Sequence, residues 1–178
     1  MRKNHSRRPD QGGGFTLIEL IAVIVIVMIL AGVAVPSLNP LAGTRGAAAA
    51  RQLLRDATFA RQRAVATGTR SWLVFNTGAH TWSILAEDPA SPGRASAAVL
   101  EDPATGEPFV VSVDAVPFVG VQLQSVDFDT NVEVGFDWLG RPLNQTEAAL
   151  TLPGSVVLTG NHTVSVAPET GHVDYTAP

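Results

Sequence analysis

The sequence predicts an α+β fold: a long N-terminal helix, first membrane-spanning and then amphipathic, packed on a C-terminal antiparallel β-sheet or β-sandwich head. Three observations predict it. From Leu20 to Val35 every residue is apolar or glycine. From about Ala47 to Gly68 apolar residues return at three- and four-residue spacing, the period of a helix with one buried face. Beyond Gly68 the pattern changes to short strand-like runs broken by turn residues. A chain of 178 residues, 46% of them apolar, holds one ordinary domain plus a helical appendage.

The N-terminal element divides at Gly14. Arg2, Lys3, Arg7 and Arg8 against Asp10 give residues 1–14 a charge of +3, and Gly12-Gly13-Gly14 closes that leader. Residues 15–35 would rise roughly 31 Å as a helix, close to the ~30 Å hydrocarbon core of a bilayer. With the basic residues ahead of it, the positive-inside tendency places the N-terminus in the cytoplasm and the remainder outside. A secretory signal peptide would carry a shorter apolar run with its cleavage site after it, not before. A plain signal anchor explains the length and orientation but not Glu19, a carboxylate five residues into the span that costs about 2.5–3.5 kcal/mol by insertion scales and so needs a partner.

The run Gly14-Phe15-Thr16-Leu17-Ile18-Glu19 closely resembles the processing motif of type IV prepilins and type II secretion pseudopilins. The resemblance covers residues 1–36, basic leader and Pro36 included. It implies cleavage after Gly14 by a membrane-bound prepilin peptidase and methylation of the new N-terminus, Phe15. Glycine, lacking a side chain, lets the backbone approach the protease closely. The resemblance also gives Glu19 an assembly role, facing the N-terminal amine of a neighbouring subunit, where low dielectric strengthens the pairing. The alternative is a glutamate snorkelling to the interface. Pro36 lacks a backbone donor, so it either kinks the helix or ends the span.

The stem covers 37–68. Pro36, Pro40, Gly43 and Gly46 interrupt the pattern, so regular helix is expected from about Ala47, with Leu53, Leu54, Ala57, Ala60, Ala64 and Val65 on its apolar face. Gly68 should stop it. A helix continuous from Phe15 would reach roughly 80 Å. Leu54 to Ala66, leading into Ser71-Trp-Leu-Val-Phe75, is similar to the segment that opens the soluble domain of the GspH/FimT subgroup.

The head, 69–178, offers strand candidates at 70–76, 80–86, 109–116, 119–127, 131–138, 148–152, 155–159, 162–167 and 172–175. Asn76-Thr-Gly78, Leu139-Gly140, Gly160-Asn161 and Glu169-Thr-Gly171 supply turns between them. Residues 89–108, rich in Pro, Ala, Ser and Gly, read as a mobile loop or insertion. Phe136-Asp-Trp-Leu-Gly140, Val156-Val-Leu158, Val164-Ser-Val166 and Thr170-Gly171-His-Val173 resemble the closing strands of the same subgroup more loosely.

Little in the chain points to catalysis. Cysteine is absent, which removes disulfides, thiolate metal sites and a cysteine nucleophile. The four histidines, at 5, 80, 162 and 172, show no helical ligand spacing. His162 and His172 would meet across the last hairpin, with Asp174 as a third metal ligand, but no metal is expected there. Asp127-Phe-Asp129-Thr-Asn131 begins like a calcium loop, yet Val132 and Trp138 stand where glycine and glutamate are required. No phosphate-binding, dinucleotide or nucleophile-elbow motif occurs. The expectation is a non-enzymatic protein with no catalytic residue, metal or cofactor.

Charge is segregated along the chain. Residues 45–70 carry six arginines against Asp56, and the stretch from Ser71 onward is −11. An arginine-rich helix could contact phosphates, but an acidic head repels a polyanion, so nucleic acid is not the expected partner. The expected function is that of a minor pseudopilin in a type II secretion pseudopilus. Its partners would be the prepilin peptidase and other pilin-like subunits, and it would sit in the inner membrane with the head in the periplasm. The alternatives are a minor type IV pilin of the FimT or FimU kind and a membrane-anchored periplasmic binding domain with no fibre role.

Overall fold

The computed structural model describes residues 16–34 and 39–178. It comprises two compact units, one ending at Asn39 and the other running from Pro40 to the C-terminus. Gly14, Phe15 and Pro36, and the question of helix continuity across 35–38, lie outside the described residues.

In the first unit, α1 spans Leu17–Ala34, with Glu19 in its opening turn. Thr16 caps it: the Glu19 N–H donates to the Thr16 carbonyl (3.0 Å) and Oγ1 (3.3 Å), satisfying a donor that a helix start otherwise leaves free. Among the described residues no helix is long and apolar enough to cross a membrane. The 18 residues of α1 rise about 27 Å, and the span read from sequence, 15–35, extends past both ends of it.

The second unit opens with α2, Asn39–Thr67. It starts eight residues before the expected Ala47. Pro40 is tolerated because it falls in the first turn, where its missing N–H has no intrahelical acceptor. Gly46 stays helical because only glycine fits there: a Cβ would strike the Thr159 carbonyl oxygen and the His162 ring.

Ten strands follow: β1 Ser71–Asn76, β2 Thr81–Ala86, β3 Ala98–Val99, β4 Val110–Ser112, β5 Leu123–Asp127, β6 Glu133–Phe136, β7 Pro142–Leu143, β8 Gly154–Leu158, β9 His162–Val166 and β10 Val173–Thr176. They form two antiparallel sheets, one in the order β3-β2-β1-β6-β7 with β4 also on β2, the other β10-β9-β8-β5. The fold is α+β, as expected.

One core joins α2 to both sheets. Ala49, Ala50, Leu53, Ala57, Ala60 and Ala64 are essentially inaccessible, and they cluster with Leu73, Phe75, Ile84, Val134 and Phe136 of one sheet and Leu123, Val156, Leu158, Val164 and Val166 of the other. The alanines set the spacing: with only a methyl each, they let the helix backbone lie close on the strands, where each buried CH₂-sized group contributes ~0.8 kcal/mol. Along β8 and β9 burial alternates at period two.

Four local details differ from the expectations or add to them. Val65, assigned to the buried face, is half exposed, one residue past Ala64, the last fully buried position of the helix. Residues 148–152 form no strand; Ala149 makes only an isolated bridge to Leu143. Residues 89–108, read as a mobile loop or insertion, carry a 3₁₀ turn at Arg94–Ser96 and strand β3. Strand β6 is buried on both faces, because Arg94 covers Glu133 on its outer side and the Trp72 ring packs over Gly135.

Candidate functional site

Of the sequence-predicted site residues, Glu19 alone lies within the described residues. It is exposed in the first turn of α1. The structure therefore does not bring Gly14, Phe15, Glu19 and Pro36 together for inspection. What it does show is how the second unit is held and what surface it presents.

The helix is tied to the sheet by a buried carboxylate. Asp56 sits on α2 between Leu53 and Ala57 and is 4% exposed. Its Oδ2 accepts the indole N–H of Trp82 on β2 at 2.8 Å, and Oδ1 accepts an amide N–H of Gln52 at 2.8 Å. Burial outweighs both bonds and raises the carboxyl from its ordinary 3.8 to about 6.

A second tie joins α2 to the last hairpin. His162, 7% exposed, bonds the Gly43 carbonyl through Nε2 at 3.0 Å and the Tyr175 hydroxyl through Nδ1 at 2.8 Å. A carbonyl only accepts, so Nε2 carries the proton. His172 lies at the other end of this ladder, where Val173 pairs with Val166 and Thr176 with Thr163. The suggested His162–His172 pair does not form, and among the described residues no group of three His, Asp or Glu could hold a metal ion.

The turn that resembles a calcium loop spends its carboxylates internally. Asp127 accepts the Thr130 N–H at 2.8 Å, and Asp129 accepts Thr151 N–H (2.9 Å), Thr151 O–H (2.8 Å) and Leu152 N–H (3.2 Å). The Thr151 backbone bond, first among these, holds Asp129 below the usual carboxylate range.

Arginines of the stem are largely committed to the protein itself. Arg45 donates to the Val119 carbonyl, Arg61 to that of Gly140, and Arg63 to Ser71 Oγ. Gly140, at φ +77°, is required there, since a side chain would run into Arg61 and Val65. Arg70 bridges Glu87 (3.3 Å) and Glu147 (2.6 Å), and Glu147 also accepts the Arg94 N–H at 2.7 Å. Arg94 in turn grips Glu133 through two bonds, 2.9 and 2.8 Å. This chain of charges straps residues 87–97 to the sheet.

Beside the strap opens a cleft of about 500 Å³ lined by Arg70, Asp137, Trp138, Arg141, Leu143, Glu147, Ala149, Leu150, Pro168 and Glu169. Trp138 is 48% exposed, with the Arg70 guanidinium 5.7 Å from its ring centre. Among these lining residues no nucleophile stands beside a base.

The architecture has a solved counterpart. It is similar to the minor pseudopilin EpsH from the Type 2 Secretion System of Vibrio cholerae, at 11% identity and a TM-score of 0.53, over 75% of this chain and 98% of that one. The fold is pseudopilin-like. No family model and no curated protein matches the sequence.

Two features of the second unit carry little signal in the sequence. In the sequence Asp56 is the lone acid of a basic stretch, and its position on the apolar face, between Leu53 and Ala57, is the signal that marks it. The cleft gave none, because its walls come from four separate stretches between Arg70 and Glu169.

Proposed function

We propose that this chain is a minor pseudopilin, a structural subunit of a type II secretion pseudopilus that helps move folded proteins across the outer membrane. The observation that carries the reading is the likeness of its fold to that of a type II secretion minor pseudopilin. The Gly14-to-Glu19 motif ahead of an apolar segment supports it independently. On this reading the prepilin peptidase cleaves after Gly14, Phe15 is N-methylated, and the subunit waits in the inner membrane through residues 15–35 with its head in the periplasm. Glu19 then meets the freed amine of a neighbouring pilin-like subunit, while Pro36 loosens or ends the helix at the membrane surface.

Deleting the gene and assaying secreted enzymes alongside surface pili tests the assignment. Lost secretion with normal pili is expected. Lost pili with normal secretion would transfer the chain to the type IV pilins, and no effect on either would remove it from both.

A further inference from the structure

The cleft beside Trp138 has a floor, a platform and one unanswered charge. Leu143 and Leu150, 8% and 4% exposed, form the floor, with Pro168 beside them. Trp138 supplies an indole left about half in water, with the Arg70 guanidinium already lying over part of its ring, 5.7 Å from the centre. Four of the wall charges neutralise one another: Arg70 with Glu147 at 2.6 Å and Arg141 with Asp137 at 2.8 Å. Glu169 forms no ion pair among the described residues.

These features select a ligand class. An anion would meet an uncompensated carboxylate. A purely apolar group would cover that carboxylate and leave it desolvated without a partner, which is unfavourable. A cation with an aliphatic stem suits all three surfaces, its stem on the leucines and its head against the carboxylate and the part of the indole that Arg70 leaves uncovered. Guanidinium fits better than ammonium, since its planar fork both stacks on an aromatic ring and bonds a carboxylate through two N–H groups. A volume of about 500 Å³ also exceeds what one side chain fills, leaving room for flanking backbone.

We propose that this cleft receives an arginine side chain presented by a segment of a partner protein, with Glu169 and Trp138 as its two recognition groups. That the segment belongs to another subunit of an assembly rests on the function proposed above; the recognition chemistry does not.

The test uses the full chain in detergent with its tryptophans labelled on the indole nitrogen. Trp72 and Trp82 are 0% and 1% exposed, so the Trp138 signal stands apart and W138F assigns it. Titration with acetyl-Ala-Arg-Ala-amide should move that signal alone. Glu169→Gln should weaken binding roughly fivefold, the worth of about 1 kcal/mol in a partly exposed ion pair. Glu101→Gln, an exposed acid elsewhere, should leave it unchanged, and a citrulline peptide should not bind at the same concentrations. A still Trp138 signal at millimolar peptide, or equal binding by E169Q or by citrulline, would overturn the proposal. Equal affinity for free L-arginine would overturn its assignment to a protein segment. Maturation at Phe15 is unaffected by any of these results, so the two readings fail separately.

Discussion

The indole N–H of Trp82 and the carboxylate of Asp56 meet at 2.8 Å between β2 and α2, in a place where neither reaches water. A buried ionised group is unfavourable, and here its surroundings include the Gln52 amide, Arg55 and Asp102. Burial raises the folded-state value from 3.8 to about 6, so the folded protein holds this proton more tightly than the unfolded chain does. The associated stability is complete below the unfolded value and is lost as pH rises through about 6. Two units correspond to about 3 kcal/mol. Asp56→Asn keeps an acceptor for Trp82 and cannot ionise. In urea unfolding at several pH values, the variant should therefore gain on the native protein between pH 4 and pH 7 by up to about that amount. Parallel profiles would show that Asp56 does not titrate in this window.

Gly43 and Gly46 lie three residues apart in α2 and should respond oppositely to alanine. At Gly43 a Cβ meets nothing within 4 Å, so Gly43→Ala should stabilise by about 0.5–1 kcal/mol through helix propensity. At Gly46 a Cβ collides with the Thr159 backbone and lies 2.9 Å from the His162 ring. The same propensity gain is then outweighed, and Gly46→Ala should destabilise by about 1–3 kcal/mol, in the range of overpacking. Thermal melts of the two variants decide it, and a gain at both positions would contradict the close approach of α2 to the β8–β9 turn.

These contrasts also mark what the sequence could and could not disclose. Leu53, Ala57, Ala60 and Ala64 announced their buried face through spacing alone, and His162 to Val166 announced a strand by alternation, because both signals are local. Gly46 reads as a helix breaker because the need for a glycine there comes from Thr159 and His162, more than a hundred residues away. The ordering of 87–97 was hidden for the same reason: composition suggested a loose insertion, while two carboxylates from distant stretches, Glu133 and Glu147, hold it in place. Glu19 is the opposite case. Its proposed role is legible in a six-residue motif, and the partner proposed for it lies on another molecule.

The strap gives a third prediction. The side chain of Glu133 is 4% exposed and Arg94 neutralises it through two hydrogen bonds. Removing the arginine alone leaves a buried carboxylate unpaired, which costs on the order of 3 kcal/mol. Arg94→Met should destabilise by about that much and speed hydrogen exchange at Arg94–Val99 before the β1–β2 ladder is affected. Replacing both members, R94M with E133L, should recover most of the loss, since an apolar pair carries no desolvation penalty. If the double variant is no better than the single one, the strap owes its order to something other than this pair.

The last prediction concerns the end of the chain where the proposed function begins. If cleavage after Gly14 frees the amine of Phe15, intact mass measurement of the purified mature protein should give a chain starting at a methylated Phe15, and Gly14→Val should abolish that species by placing a branched side chain at the scissile position. Glu19 acts later. It is exposed in the first turn of α1, where a carboxylate is also favoured by the helix dipole, so Glu19→Ala should spare cleavage while removing the charge that an incoming amine would meet. The expected result is a matured subunit that no longer co-purifies with pilin-like partners. If E19A blocked maturation, the residue would belong to peptidase recognition instead. If E19A matured and assembled normally, its carboxylate would have no part in joining one subunit to the next.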